Sequence, residues 1–286
     1  MKILVIDKES LTNQLMLSKL SAAGHEVVVE PNKNIAIDRL KDEWFDCIML
    51  DPSPLSEARP IILVLLKNIK SEIKPYLILL TKNEEMTTGQ AILSATNDFL
   101  LKPLNMENIE ETIKNAARFL DIFKYLSSED NRSKNLKGII NKEAFFQLFL
   151  SSLDRAYRYG ERSLIVFINI GNYDEIKKTL DDKALQEFNS KIAEKANLMR
   201  RQSDVVGLVS ERDYAILLQR PQYEAEPLDA ISRFAGELEK FIDEVKSSIS
   251  INIEFDLDLV EIPQGILHSN KTIPYKEGSY KEGTNK

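Results

Sequence analysis

The stretch that decides the fold of the first half is MKILVIDKES, residues 1–10, in which a short apolar run ends at Asp7. Four more runs of similar length follow within residues 1–125, separated by stretches with helical spacing of apolar residues. In the first of these stretches, residues 10–23, one side of the predicted helix carries Leu11, Leu15, Leu17 and Leu20. Runs this short and apolar are typical of strands buried on both faces. Their strict alternation with helices predicts an α/β fold with a doubly wound five-stranded parallel sheet.

Polar residues follow the predicted strands at their carboxyl ends, where ligands of such sheets bind. In chain order they are Asp7, Asp51, Thr81 and Lys102. This ordered set resembles the receiver domain of bacterial response regulators over residues 1–125. The resemblance implies a phosphoacceptor at Asp51, with Thr81 and Lys102 contacting the phosphoryl group. It also implies Mg²⁺ at Asp7 and Asp51, and an aromatic switch at Phe99.

The sequence departs from the receiver pattern around the implied metal site. Lys8 stands where a second acid is usual, Glu9 is the next carboxylate, and Lys82 replaces a small residue. Pro52 and Pro54 lie in the loop that, in the family, gives the metal a backbone ligand. Because Mg²⁺ prefers oxygen ligands, the sequence predicts weakened metal binding. Two alternatives stay open: a phosphorylated switch, or a docking and dimerisation module in which Asp51 is not phosphorylated.

Residues 105–134 are predicted to link two domains, with one helix over residues 105–126 and a polar joint over residues 127–134. The helix carries an apolar stripe at alternating four- and three-residue steps, formed by Ile109, Ile113, Ala116, Leu120 and Phe123. Such a stripe packs on the first domain, forms a coiled-coil seam, or does both, with the N-terminal turns packed and the rest extended between domains. A homodimer through the receiver and this helix is therefore one expected partnership.

Beyond the joint the order of the elements changes. A strand, a helix, a hairpin over residues 205–218 and a further helix and strand predict an α+β fold over residues 135–265. Residues 266–286 are polar and contain glycine, which predicts a flexible tail.

Three stretches of this half are similar to the GGDEF domain of diguanylate cyclases, the first loosely and the last with the family's spacing. They are KNLKGIINKEAF (134–145), LIVFINIGNYDEI (164–176) and RQSDVVGLVSERDYAILL (201–218). The resemblance implies a nucleotide-cyclase-like domain, in which acidic side chains hold two metal ions that activate GTP.

The positions that the resemblance assigns to catalysis are mostly replaced. The two acids of the family's D-x-D are Asn169 and Gly171, and its downstream N-D pair is Lys177 and Lys178. The degenerate signature reads Ser210, Glu211, Arg212, Asp213 and Tyr214. A single remaining carboxylate cannot hold two metal ions, so the sequence predicts that the domain is not an enzyme.

The family's R-x-x-D motif, which binds cyclic di-GMP away from the catalytic site, is retained as Arg201 and Asp204. An arginine can pair with the O6 and N7 edge of guanine, and a carboxylate can accept from its N1–H edge. Arg200 and Arg233 are further ligand-binding candidates, although Glu237 competes for the place of Arg233. The alternative is that the Arg–Asp pair only caps and tethers a turn.

Composition excludes several other classes of function. With 38 basic and 45 acidic residues the formal net charge is −7, which disfavours a nucleic-acid surface. One cysteine and two histidines leave no disulfide framework and no cysteine-rich zinc site. No stretch has the length and apolarity of a signal peptide or a membrane span, so we expect a cytoplasmic protein without membrane contact.

These observations predict a non-enzymatic effector of bacterial two-component signalling. It would bind cyclic di-GMP at Arg201 and Asp204, relay this to a protein partner, require no cofactor, and be gated by phosphorylation of Asp51. The competing hypotheses are a protein-interaction scaffold that binds no nucleotide, and a weak cyclase.

Overall fold

The computed structural model of the chain describes residues 1–71, 73–128, 136, 138–219, 221, 226–246 and 252–273. These residues form two compact units. The first comprises the described residues up to Ser128 together with Phe146–Ser163 and Glu261–Leu267, and the second comprises the others. The units therefore interleave along the sequence. Most of the predicted joint lies outside the described residues.

The first unit is built on a five-stranded parallel sheet in the order β2-β1-β3-β4-β5. This is one of the two common strand orders of doubly wound α/β folds, so the predicted fold class is confirmed. The strands are β1 (Lys2–Ile6), β2 (Glu26–Val29), β3 (Cys47–Leu50), β4 (Tyr76–Thr81) and β5 (Asp98–Leu101). The helices are α1 (Ser10–Ala22), α2 (Lys33–Arg39), α3 (Ala58–Asn68), α4 (Thr88–Leu93) and α5 (Met106–Ser127), with a short 3₁₀ turn at Leu55–Glu57.

Helix α1 turns a different face to the core from the one that its leucines suggest. Leu11 and Leu17, predicted on the buried side, are 80% and 46% exposed. Leu20 is buried as predicted, but its buried neighbours are Met16 and Asn13. The amide of Asn13 donates to the main-chain carbonyl of the residue after β1 at 2.8 Å, which helps to fix the rotation of the helix. A polar contact of this kind leaves no hydrophobic signal in the sequence.

The apolar stripe of α5 is buried within the chain. Each of its five residues is at most 6% exposed. Part of the cover comes from helix α6 (Lys142–Tyr159), whose Phe149 ring lies 5.9 Å from that of Phe123 and 6.4 Å from that of Phe119. The packing alternative is therefore correct. The coiled-coil seam to a second chain is wrong, because the chain itself covers the stripe.

The second unit is built on a six-stranded mixed sheet in the order β11-β10-β7-β9-β8-β6. Strand β6 pairs with β8 in parallel, and β8 with β9 antiparallel, which confirms the α+β class. The strands are β6 (Ile140–Asn141), β7 (Ser163–Ile170), β8 (Val205–Leu208), β9 (Asp213–Gln219), β10 (Phe255–Ile262) and β11 (Ile266–Ile273). The remaining helices are α7 (Tyr173–Thr179), α8 (Asp182–Met199) and α9 (Glu226–Lys246).

Strand β11 corrects the prediction for the start of the tail. The sequence predicts flexibility from residue 266, whereas Ile266–Ile273 form a strand next to β10. Side-chain hydrogen bonds link the two strands, from Asn270 to Asp258 and from Thr272 to Asp256, each at 2.7 Å. These cross-strand partners are polar, so the strand lacks the apolar pattern by which it would be recognised. The rest of the predicted tail lies outside the described residues.

Candidate functional sites

The doubly wound sheet brings together three of the four polar residues predicted to share a site. Lys102 Nζ lies 2.6 Å from Asp7 Oδ2 and 2.5 Å from Asp51 Oδ2. The ammonium also lies 3.1 Å from Glu9 Oε2, so three carboxylates from two strand ends share one cation. The Lys102 side chain is only 4% exposed, and its main-chain N–H donates to the carbonyl of Thr81 at 2.8 Å.

The remaining oxygens of these carboxylates also have partners within the chain. Asp7 Oδ1 accepts from the N–H of Glu9 at 2.9 Å, and Glu9 Oε1 is paired with the ammonium of Lys82. Asp51 Oδ1 accepts from the N–H of Ser53 at 2.9 Å and from its hydroxyl. Five of the six carboxylate oxygens therefore accept a hydrogen bond or face an ammonium group of the protein itself, and the sixth, the buried Asp7 Oδ2, meets Lys102 at ion-pair distance without hydrogen-bond geometry.

These contacts set the charge states in the site. Burial raises the pKa of Asp51, but hydrogen bonds from Lys102 and Ser53 outweigh burial and leave that pKa below its usual value. Burial lowers the pKa of Lys102, and its three carboxylate partners reverse this to a net rise. The ammonium groups of Lys82 and Lys102 hold the pKa of Glu9 at about 2. All these groups are charged at neutral pH.

The other residues of the receiver resemblance have local contacts. Thr81 is buried, and its hydroxyl oxygen accepts from the N–H of Asn83 at 3.1 Å. Phe99 is partly buried and packs against the core cluster of the first unit. Lys8 is exposed, whereas the ammonium of Lys33 reaches the main-chain carbonyl of Pro52 beside the phosphoacceptor position.

The implied Mg²⁺ does not fit this arrangement. Mg²⁺ requires oxygen ligands at about 2.0–2.1 Å in octahedral geometry, yet a lysine nitrogen stands where the carboxylate oxygens converge. Over the described part of the chain, no group of three or more histidine, cysteine, aspartate or glutamate side chains is arranged to hold a metal ion. Sequence reasoning identified Glu9 and Lys82 singly but not their pairing, and it missed Ser53 and Lys33.

The hairpin between β8 and β9 holds the residues that the resemblance aligns with the GGDEF signature. Asp213 Oδ1 accepts from the amide of Asn169, and Asp213 Oδ2 accepts from the Ser210 hydroxyl at 2.6 Å. The Ser210 oxygen in turn accepts from the N–H groups of Arg212 and Asp213 at 3.2 and 3.1 Å. The one carboxylate that the signature retains is thus part of the hydrogen bonding that shapes the turn.

The other acid of the hairpin is an ion-pair partner. Glu211 Oε2 lies 2.8 Å from the ammonium of Lys177, which stands where the family has one of its N-D residues. Arg212 is exposed, and Tyr214 is fully buried in the core of the second unit. In the described part of this region, cations have taken places that the resemblance assigns to metal-binding acids.

The R-x-x-D turn follows α8 and leads into β8. Asp204 is 3% exposed, and its carboxylate accepts from the N–H of Arg201 at 2.9 Å. The guanidinium of Arg200 donates to the main-chain oxygens of Arg201 and Asp204 at 3.2 and 3.1 Å. Asp204 and Arg200 therefore help to hold the turn in shape.

Arg201 has a partner that the sequence did not indicate. Its guanidinium is paired with Glu226, a buried carboxylate at the start of α9, while the Arg201 side chain remains 43% exposed. Arg233 is exposed on α9, with its guanidinium 5.0 Å from the ring centre of Phe234. Glu237 lies 2.9 Å from Lys195 and 2.7 Å from Lys240. The site thus presents one half-exposed guanidinium rather than an open Arg–Asp pair.

No protein-family model matches the chain. The two-component response regulator PhoP of Pseudomonas aeruginosa is 25% identical over 120 residues, which are 41% of this chain and 52% of that protein. The chain thus spans about half the length of the curated relative that it matches.

Solved structures similar to this chain include receiver domains and GGDEF domains. A two-component response regulator from Clostridium difficile is 25% identical, with a TM-score of 0.34, covering 41% of this chain and 95% of that one. The GGDEF domain of TpbB (YfiN) from Pseudomonas aeruginosa is 17% identical, with a TM-score of 0.38, covering 46% and 77%. The GGDEF domain of DgcB from Caulobacter crescentus, solved with c-di-GMP, is 15% identical, with a TM-score of 0.37, covering 49% and 82%.

None of the helices in the described residues combines the length and apolarity that crossing a membrane requires.

Proposed function

We propose that this chain is a non-enzymatic signalling protein, in which a receiver-like unit and a cyclase-like unit act by binding. The observation that carries the proposal is the state of Asp213. It is the last acid of the degenerate signature, and Asn169 and Ser210 hold both of its oxygens. Cyclisation of GTP by this family needs acidic ligands for two metal ions. The corresponding positions here carry the amide of Asn169 on β7, and the hydroxyl of Ser210 and the guanidinium of Arg212 in the hairpin.

Charge supports the same conclusion. Two divalent ions and a triphosphate need a site whose carboxylates are free to face the metals. Here the carboxylate of Glu211 is neutralised by Lys177 at 2.8 Å. Gly171, at the second position of the D-x-D pattern, carries no side chain that could act as a ligand. We therefore expect no conversion of GTP to cyclic di-GMP.

We further propose cyclic di-GMP as a ligand, bound through Arg201. The observation that favours this is the half-exposed guanidinium of Arg201, which can make paired hydrogen bonds to a guanine edge or to phosphate. Because Asp204 faces its own turn, we assign it to holding the turn in shape rather than to the ligand. The ligand would compete with Glu226 for the guanidinium, which makes Glu226 a determinant of affinity.

Calorimetric titration of cyclic di-GMP into the full chain tests this ligand. Arg201→Ala is expected to weaken binding by about tenfold or more, because a hydrogen bond to a charged group is lost. Glu226→Gln is expected to tighten binding, because the competing carboxylate becomes neutral. Arg158→Ala is the matched control, since Arg158 is also exposed and ion-paired, 3.0 Å from Asp154.

The outcomes separate the two candidate functions. If cyclic di-GMP binds the unaltered chain and Arg158→Ala alike but binds Arg201→Ala more weakly, the result supports a second-messenger receptor. Absence of binding to the unaltered chain and to Glu226→Gln contradicts the ligand proposal. It leaves the protein-interaction scaffold, to be tested by capture of a protein partner with the full chain.

A further inference from the structure

The acidic cluster of the first unit, formed by Asp7, Glu9 and Asp51, differs from a metal site because a lysine nitrogen lies at its centre. Oxygens of Asp7, Glu9 and Asp51 converge on one nitrogen, at 2.6, 3.1 and 2.5 Å from Lys102 Nζ. A cation shared by three carboxylates in this way occupies the place that a divalent ion would need. The nitrogen belongs to a side chain that is 4% exposed, so bulk water does not readily replace it.

Lys82 extends the same arrangement to the rim of the cluster. Its ammonium pairs with Glu9 Oε1, the oxygen that faces away from Lys102. Glu9 Oε2 also accepts from the hydroxyl of Thr12 at 3.2 Å. Glu9, the one acid that could replace the family's missing second carboxylate, is therefore held by two ammonium groups and a hydroxyl.

Formal charge leads to the same result. Three carboxylates face the ammonium groups of Lys102 and Lys82, and Lys33 adds a third ammonium on the carbonyl of Pro52. A divalent ion entering this cluster would meet cations a few ångströms away, where like charges repel strongly because the site is partly shielded from water. It would also have to displace donors from the carboxylate oxygens that became its ligands.

We propose that this is a lysine-neutralised acidic site, in which Lys102 and Lys82 take the place of Mg²⁺ and prevent its binding. The proposal is independent of the function assigned to the second unit. It favours the alternative in which the first unit serves as a docking module, because Asp51 stays paired with Lys102.

Titration with Mn²⁺, a paramagnetic substitute for Mg²⁺, tests the assignment. The free-ion signal in electron paramagnetic resonance measures bound Mn²⁺ without any activity assay. We expect no stoichiometric binding to the unaltered chain at millimolar Mn²⁺. Lys82→Ala is expected to gain affinity by at least about tenfold, because it removes a unit charge near the ion and frees an oxygen of Glu9.

The variants are chosen so that folding does not obscure the result. The Lys82 side chain is 68% exposed, so its truncation leaves the core intact. Lys114→Ala removes an exposed lysine from α5 as the matched control and is expected to bind no better than the unaltered chain. Lys102→Gln is a second test, in which Mn²⁺ is expected to bind and to raise the melting temperature.

Two results would overturn the proposal. One is stoichiometric Mn²⁺ binding by the unaltered chain that is abolished in Asp51→Asn. The other is absence of binding in Lys82→Ala and in folded Lys102→Gln, because the lysines would then not be what excludes the metal.

Discussion

The turn between β10 and β11 gives the sharpest prediction of stability. Gly265 has a φ of +78°, and its carbonyl accepts from the guanidinium of Arg118 at 2.6 Å. A Cβ added there would lie 2.4 Å from the carbonyl oxygen of Asn115 and 3.0 Å from Cβ of Phe119. Gly265→Ala must therefore push the turn away from α5.

The magnitude follows from two separable costs. A left-handed alanine costs about 1–2 kcal/mol at any such position. Moving the turn also loses the hydrogen bond from Arg118, which is worth about 1.5–3 kcal/mol because the donor is charged. We expect Gly265→Ala to destabilise the first unit by about 2.5–5 kcal/mol in total.

Gly24 provides the matched control. Its φ is +85°, but a Cβ there meets no atom within 4 Å, so Gly24→Ala carries only the conformational cost. The chain has one tryptophan, Trp44, which lies in the first unit, so its fluorescence during urea unfolding reports on that unit. Equal destabilisation by the two variants would refute the packing of residues 261–267 on α5.

Three further predictions concern the first unit. Burial raises the pKa of Asp98 from 3.8 to about 6, so the folded state loses stability as pH rises from about 4 to 6. Asp98→Asn is therefore expected to stabilise the protein by up to about 3 kcal/mol at pH 7 and by little at pH 3.5. A difference in urea midpoint between Asp98→Asn and the unaltered chain that is the same at both pH values would contradict this. Treatment with acetyl phosphate, under conditions that phosphorylate a control receiver domain, is expected to add no phosphate to Asp51, as measured by intact mass spectrometry. A gain of one phosphate that is absent in Asp51→Asn would count against the pairing of Asp51 with Lys102. Cys47 is fully buried with a raised pKa, so a maleimide should label it only after unfolding, and rapid labelling of the native chain would show that β3 is not at the centre of the sheet.

The sheet of the first unit could be predicted because its sequence signal is large and local. Runs such as Cys47–Leu50 are fully buried, and their short length between amphipathic stretches favours interior strands over buried helices. Because the carboxyl ends of parallel strands meet at one edge of the sheet, the predicted strands also placed Asp7, Asp51 and Lys102 together, and the structure brings them within ion-pair distance.

The contacts that close the sites could not be predicted in the same way. Glu9 and Lys82 are 73 residues apart, and Arg201 and Glu226 are 25 apart. Each pair depends on where loops and helix ends lie in space, and charged residues in loops are usually solvated. The rotation of α1 was missed for a related reason, since Asn13 is buried through a hydrogen bond while Leu11 is left exposed.

The central claim is that the second unit performs no cyclase chemistry, and incubation with GTP tests it most directly. The full chain is incubated with GTP and either Mg²⁺ or Mn²⁺, and cyclic di-GMP is quantified beside an active diguanylate cyclase. We predict no product above that of a protein-free sample. Formation of cyclic di-GMP that disappears in Asp213→Ala would contradict the account, because the retained carboxylate would then serve a metal rather than the turn.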